Sequence, residues 1–183
     1  MAILPIRTIP DPVLRQKAKR VKAIDKSVRK LISDMQETLR TASGVGLAAN
    51  QVGQTIRLIV LNIPNNECKV VINPEVTRRI GTRVVNEGCL SIPGYIGEIK
   101  RSELVRVKGQ DARGKEVKLK ADGLLAEVLE HEIDHLNGIL YIDHLESQDK
   151  FRKLEPPQQK TAESTDGEIP VQVQPDKTEQ TTS

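Results

Sequence analysis

Asp122-Gly-Leu-Leu-Ala-Glu-Val-Leu-Glu-His-Glu-Ile-Asp-His-Leu-Asn-Gly138 is the stretch on which the reading of this chain turns. Asp122-Gly123 and Asn137-Gly138 are start and stop signals, so the segment between them reads as a helix from about Leu124 to Asn137. Inside it, His131-Glu132-Ile133-Asp134-His135 is an H-E-x-x-H pattern. Histidines four apart project from one helix face and can share a metal ion. Glu132 follows ~100° further round, beside such a metal, where a general acid/base belongs.

On a helical wheel this segment divides into three sectors. Glu127, Glu130, Asp134 and Asn137 make a polar stripe expected to face water. Leu125, Leu129, Ile133 and Leu136 make an apolar stripe expected to enter the core. Leu124, Val128, His131, Glu132 and His135 lie between them, as a cleft lining does. The competing reading is an ordinary helix with histidine and glutamate on a charged surface.

A third metal ligand is sought upstream. Glu87-Gly-Cys-Leu-Ser-Ile-Pro-Gly94 follows a strand and runs into a constrained turn. A Cys89 thiolate there would complete a His2Cys set with a fourth position open, as metal-assisted hydrolysis needs. A lone cysteine is more often a small buried hydrophobe, and spacing alone does not prefer Cys89 to Cys68. Cys68 follows Pro64-Asn-Asn-Glu and has no ligand-like company. His144 lies past Gly138, off the helix, and is expected at the surface.

Further upstream, Gly44-Val-Gly-Leu-Ala-Ala-Asn-Gln-Val-Gly53 lets backbone approach a ligand closely. It lacks the Lys-Ser/Thr ending of a phosphate loop. Gln51 could aim an amide donor at a developing oxyanion. A plain helix-to-strand turn explains the segment as well.

The remaining elements give the fold class. Asp25 caps a helix to about Ala42, with Val28, Leu31, Ile32, Met35 and Leu39 on one face. Strands are expected at residues 56–62, 69–73, 82–86, 103–109 and 115–121, the last two joined by a hairpin turn at Asp111–Gly114. A short closing helix is expected between Glu146 and Leu154. The class is α+β: antiparallel strands packed around a central C-terminal helix bearing H-E-x-x-H, with an N-terminal amphipathic helix.

Taken together, Gly44-Val-Gly-Leu-Ala-Ala-Asn-Gln51, Glu87-Gly-Cys-Leu-Ser91 and His131-Glu-Ile-Asp-His135 resemble the peptide deformylase family in content, order and spacing. The resemblance covers about residues 1–155. It implies a metal-dependent hydrolase that removes the N-formyl group from formylmethionine at the start of new polypeptides, releasing formate. It implies Cys89, His131 and His135 as ligands to one divalent metal, usually Fe(II), with zinc, nickel or cobalt able to substitute. It makes Glu132 the proton shuttle, and Gln51 and the Leu90 backbone N–H the oxyanion donors. Backbone near Gly46 and Gly94 would pair with an extended substrate, whose methionine would sit among Val45, Leu124, Val128 and His131. Glu87 would pair with Arg101 and lock the Cys89 loop. N-formylmethionyl nascent peptides, and the ribosome near its exit tunnel, are the implied partners.

Two helix positions depart from the family's commonest pattern: Glu130 stands where glutamine is usual, and Glu127 where many relatives carry an apolar or basic residue.

Composition agrees with an enzyme of this size. The 183 residues carry 37% hydrophobic side chains but only 2% aromatics, so the core must be Leu, Ile and Val. A net charge of +3 with few aromatics gives no case for direct nucleic-acid recognition. Two cysteines do not make a disulfide framework, and no signal peptide or membrane span is read, so a cytoplasmic location is expected. From Pro156-Pro157 onward the chain turns polar and proline-bearing, with five acidic and two basic residues. Residues 1–155 are therefore expected to form the metal-hydrolase domain and 156–183 a disordered polar tail. The family sometimes has a basic C-terminal helix that touches the ribosome; this acidic tail departs from it. A small H-E-x-x-H zinc peptidase and a noncatalytic metal-binding module are the alternative readings. The peptidase normally needs a downstream glutamate or histidine ligand where this chain offers Gly-Cys-Leu.

Overall fold

The computed structural model describes residues 2–64 and 68–154. The tail expected over 156–183 lies outside the described residues.

The chain forms a mixed α/β architecture with antiparallel sheets and a C-terminal helix. Helix α1 (Lys26–Thr41) starts where Asp25 caps it: its Oδ1 accepts from the Val28 N–H at 3.0 Å and the Ser27 hydroxyl at 2.6 Å. Its apolar side buries Ile32, Met35 and Leu39 against Leu58, Val60 and Ile72. Each such side chain, fully buried, contributes about 1.5–3 kcal/mol.

Five strands make the larger sheet, in the order β1 (Gly46–Ala48), β2 (Leu58–Leu61), β3 (Lys69–Ile80), β6 (Leu104–Gln110) and β7 (Glu116–Asp122). Three make the smaller one: β4 (Arg83–Cys89), β5 (Ile92–Arg101) and β8 (Phe151–Lys153). All named pairings are antiparallel. The β6–β7 hairpin closes as expected at Asp111, whose Oδ1 accepts from Arg113 and Lys115 N–H at 2.8 and 2.9 Å. Strand β3 outruns the expected end at Asn73. Register shifts on either side of Glu75-Val76 let it continue past Pro74.

Helix α2 (Gly123–Leu136) packs on the larger sheet, with Leu129, Ile133 and Leu136 among Ile59, Leu61, Val105 and Val107. It ends where Gly138 turns left-handed, at φ +77°, and donates to the His135 carbonyl. A side chain there would run into the Arg15 backbone. Among the described residues no helix is long and apolar enough to cross a membrane.

Three further expectations are corrected. No closing helix forms between Glu146 and Leu154. Gln148–Lys150 make one 3₁₀ turn, and Phe151–Lys153 join the edge of β5, pairing Gly97↔Phe151 and Tyr95↔Lys153. The open strand edge offers backbone partners, and the Phe151 ring stacks on Tyr95 at 4.9 Å.

The second correction concerns α2. Its polar stripe does not face water: Glu130 and Asp134 are buried. Glu130 takes hydrogen bonds from the Ser102 N–H at 2.8 Å and from Arg79 at 2.7 Å, while Asp134 takes Arg101 at 2.6 Å. Buried carboxylates persist because they are paired. His144, expected at the surface, is half-buried and bonds Asp134 at 2.8 Å.

Candidate metal centre

The two sheets and α2 meet at Cys89. Strand β4 pairs regularly with β5 up to Gly88↔Ile96, then shifts register so that Cys89 faces Ile92. Such a break re-aims a side chain. It brings the Cys89 Sγ to 3.2 Å from the His135 Nε2. Cys89, His131 and His135 form the group of donors that could hold a metal among the described residues, with ligand atoms within 4.8 Å of one another. The histidine rings lie 4.9 Å apart, near perpendicular at 78°. Cys68 stands apart, against the Gln36 amide.

The donor orientations are fixed from behind. His131 Nδ1 meets Glu87 Oε2 at 2.7 Å, which leaves its Nε2 for the cluster. Arg101 grips both Glu87 oxygens, at 2.6 and 3.0 Å, and reaches Asp134 with its third nitrogen at 2.6 Å. Burial alone would raise Glu87, but hydrogen bonds from His131 and Arg101 outweigh it and hold its pKa at about 2. Burial also opposes charge on Arg101, yet Glu87 and Asp134 raise its pKa. His131 is pulled down by burial but raised well above the ordinary histidine value by Cys89 and Glu87. His135 is pushed well below it, by burial and then by His131.

Glu132 lies beside this group, deep enough that burial lifts its pKa to about 7 against the pull of His131. Its Oε2 is buried without a hydrogen-bond partner, as is His135 Nδ1. A thiolate and two imidazoles within reach of one another, plus an unpartnered carboxylate oxygen, suit a divalent cation with a reacting water beside it. The residues present therefore fit a metal.

Gln51 sits in the 3₁₀ turn Ala49–Val52, wholly buried. Its Oε1 accepts the Ala48 N–H at 2.8 Å, so its amide must point the other way. There Nε2 reaches Ser91 Oγ at 3.2 Å and Cys89 Sγ at 3.5 Å. Strand β1 passes so close to α2 that a Cβ on Gly46 would collide with Glu132 and stand 2.6 Å from Val128 Cγ1.

These groups open into one cavity of about 450 Å³. It is lined by Val45, Gly46, Gln51, Glu87, Cys89, Leu90, Gly94, Leu124, Val128, His131 and Glu132, with His135 behind the thiol and Arg101 behind Glu87. Glu127, at the rim, is paired with Arg83 at 3.0 Å.

Sequence reasoning missed Ser91, Tyr95 and Leu154. Ser91 carried a signal in the Gly-Cys-Leu-Ser run. Tyr95 and Leu154 carried none, because the strand pairing that brings them to the cavity joins distant segments.

Comparison with known proteins follows the same lines. The family model for polypeptide deformylase matches residues 3–151. A peptide deformylase of Dehalococcoides mccartyi (strain CBDB1) is 54% identical over 157 residues, covering 85% of this chain and 94% of the relative. One of Thermomicrobium roseum is 46% identical over 175 residues, covering 91% and 99%. The crystal structure of a peptide deformylase from Legionella pneumophila superposes with a TM-score of 0.78 at 46% identity, over 81% of this chain and 89% of that one. That from Synechococcus elongatus, in complex with actinonin, gives 0.79 at 43%, covering 82% of each.

Proposed function

The chain belongs to the polypeptide deformylase family, and we propose that Cys89, His131 and His135 hold its one divalent metal while Glu132, Gln51 and Leu90 run the reaction. It is a hydrolase that removes the formyl group from N-terminal formylmethionine of new polypeptides. The match over residues 3–151 supports reading 1–155 as one deformylase-like domain, distinct from the 156–183 tail. In this reading α2 is the central helix bearing H-E-x-x-H and α1 an amphipathic cover. The reaction belongs in the cytoplasm, on nascent chains near the ribosomal exit tunnel.

A divalent metal on the three donors supplies Lewis acidity toward water and the formyl oxygen. Iron(II) suits the mixed thiolate and imidazole set, and zinc, nickel or cobalt can replace it. Glu132 takes a proton from the attacking water, which its burial and raised pKa allow at neutral pH. The Gln51 Nε2, already turned toward Cys89, donates to the oxygen on which negative charge grows, and the Leu90 N–H is the second donor. Glu132 then passes the proton to the departing amine, so formate leaves and a free methionine amine remains. Val45, Leu124 and Val128 line the space for the methionine side chain, and backbone at Gly46 and Gly94 borders the extended peptide. Glu87 and Arg101 hold His131 and the Cys89 turn in place.

One observation supports this most: the three-donor group, the unpartnered Glu132 oxygen and the Gln51 amide line or adjoin the same cavity. The test compares formyl-Met-Ala-Ser with an unformylated, internally cleavable peptide. Formate release from the first without cleavage of the second is expected; the reverse would mean a peptidase. Glu132→Gln should retain metal and lose formate release by ~100-fold or more. Near-normal turnover in that variant would remove Glu132 from the mechanism.

A further inference from the structure

Gln51 and Leu90 come from different elements: the 3₁₀ turn Ala49–Val52 and the turn between β4 and β5. Two donors can serve one oxygen only if the separation of their turns is fixed. Side chains link the turns through the Gln51 amide alone, at 3.2 Å to Ser91 Oγ and 3.5 Å to Cys89 Sγ. A third segment, far from both in sequence, spans them through the backbone. The Arg7 N–H donates to the Gln51 carbonyl at 2.7 Å, and the Ile9 N–H to the Ser91 carbonyl at 3.0 Å. Two residues reach no further than about 7 Å, so this short span limits how far the two turns can part.

The span is anchored at both ends. Upstream, the Leu4 N–H donates to Thr38 Oγ1 on α1 at 2.8 Å. Downstream, Asp11 caps the 3₁₀ turn Pro12–Arg15 by accepting the Val13 N–H at 2.9 Å, and that turn buries Leu14 in a cluster with Val85 and Ile92. The Asn50 amide donates to the Gln16 carbonyl at 2.6 Å, which ties the neighbour of Gln51 to the same segment. The Arg7 and Ile9 side chains are exposed, and neither residue lines the cavity. Their grip on the two turns is made by the main chain, so no residue type announces it in the sequence.

We propose that Arg7 and Ile9 are positioning residues for the hydrolysis: their N–H groups staple the Gln51 turn to the Cys89–Ser91 turn and keep the Gln51 amide and the Leu90 N–H converging on one oxygen. This rests on the deformylase reading of the site, in which those two groups receive the growing negative charge. Losing the staple lets the turns drift apart while the metal donors and the methionine space stay in place. Donors held by preorganisation act on the transition state more than on the bound substrate, so the loss falls on kcat and spares KM. A displacement of about 1 Å is enough to cost up to ~100-fold.

The test is a double-mutant cycle on formate release from formyl-Met-Ala-Ser, with kcat expressed per bound metal. Arg7→Pro and Ile9→Pro each delete one of the two N–H donors. Each should lower kcat by ~10- to 100-fold with KM and metal content held. In a Gln51→Ala background the same changes should cost less than about 3-fold, because the donor they position is already gone. An equal loss in both backgrounds, or unchanged kcat in the proline variants, overturns the proposal. Inserting one glycine between Thr8 and Ile9 keeps both N–H groups but breaks their spacing, and should lower kcat as the prolines do. Wild type supplies a check that needs no variant: the Arg7 and Ile9 amides should resist hydrogen exchange, and rapid exchange of both in the folded protein overturns the staple. No formate from wild type overturns the deformylase reading itself, whatever the amides show.

Discussion

At Glu132 a single burial bears on both the proposed chemistry and the stability. Its pKa rises from 4.5 to about 7, chiefly because the carboxylate loses water. In the metal-free protein the folded chain therefore keeps a proton that the unfolded chain releases between those values. Stability from this group is complete below about 4.5 and declines as pH rises through about 7. The full swing is about 3 kcal/mol. Urea titrations of metal-free Glu132→Gln and wild type should thus diverge between pH 5 and 8, with the variant gaining at the higher pH; parallel curves would mean Glu132 is not desolvated. Gln51 belongs at the same scale. With its Oε1 committed to Ala48, the amide has one orientation, and Gln51→Ala should lower kcat by ~100-fold or more. A change in KM alone would reduce Gln51 to a binding group.

Between residues and fold, the elements carry constraints that no single side chain has. The α2 stripe of Glu127, Glu130, Asp134 and Asn137 reads as wet because its residues are polar, yet Arg101 from β5 and Arg79 from β3 cover its middle. Periodicity reports which residues share a face, not what lies against that face. The same limit hid β8. Three residues have too short a pattern to show, and their partner on β5 lies more than 50 positions away. By contrast α1, α2 and the β6–β7 hairpin were legible, because caps, turns and repeats are local. So was the metal group, though only because the three motif segments resemble one family; spacing alone left Cys89 and Cys68 equal.

Two predictions belong here. Arg101→Met removes the guanidinium that pairs both buried carboxylates, leaving Glu87 to His131 and Asp134 to His144, and should cost about 3–5 kcal/mol of stability, read by denaturant melts. A loss below 1 kcal/mol would mean that water replaces the guanidinium. Gly46→Ala drives a methyl group into Glu132 and Val128 where β1 meets α2. It should lower formate release at least as far as it lowers stability, whereas full activity would show that β1 can withdraw from the helix.

For the molecule as a whole, a five-stranded and a three-stranded sheet are joined through α2, and the groups proposed to react lie where they converge. Cys89 comes from the smaller sheet, Gln51 from the turn after β1, and His131, Glu132 and His135 from the helix. None of these alone makes a site. The most direct test is formate release from formyl-Met-Ala-Ser by protein purified without oxygen, with metal per chain measured in the same samples for wild type and Cys89→Ala. One equivalent of metal with turnover in the wild type, and loss of both in the variant, is the expected result. Full metal content and turnover in Cys89→Ala, or turnover by wild type stripped of metal, would contradict it.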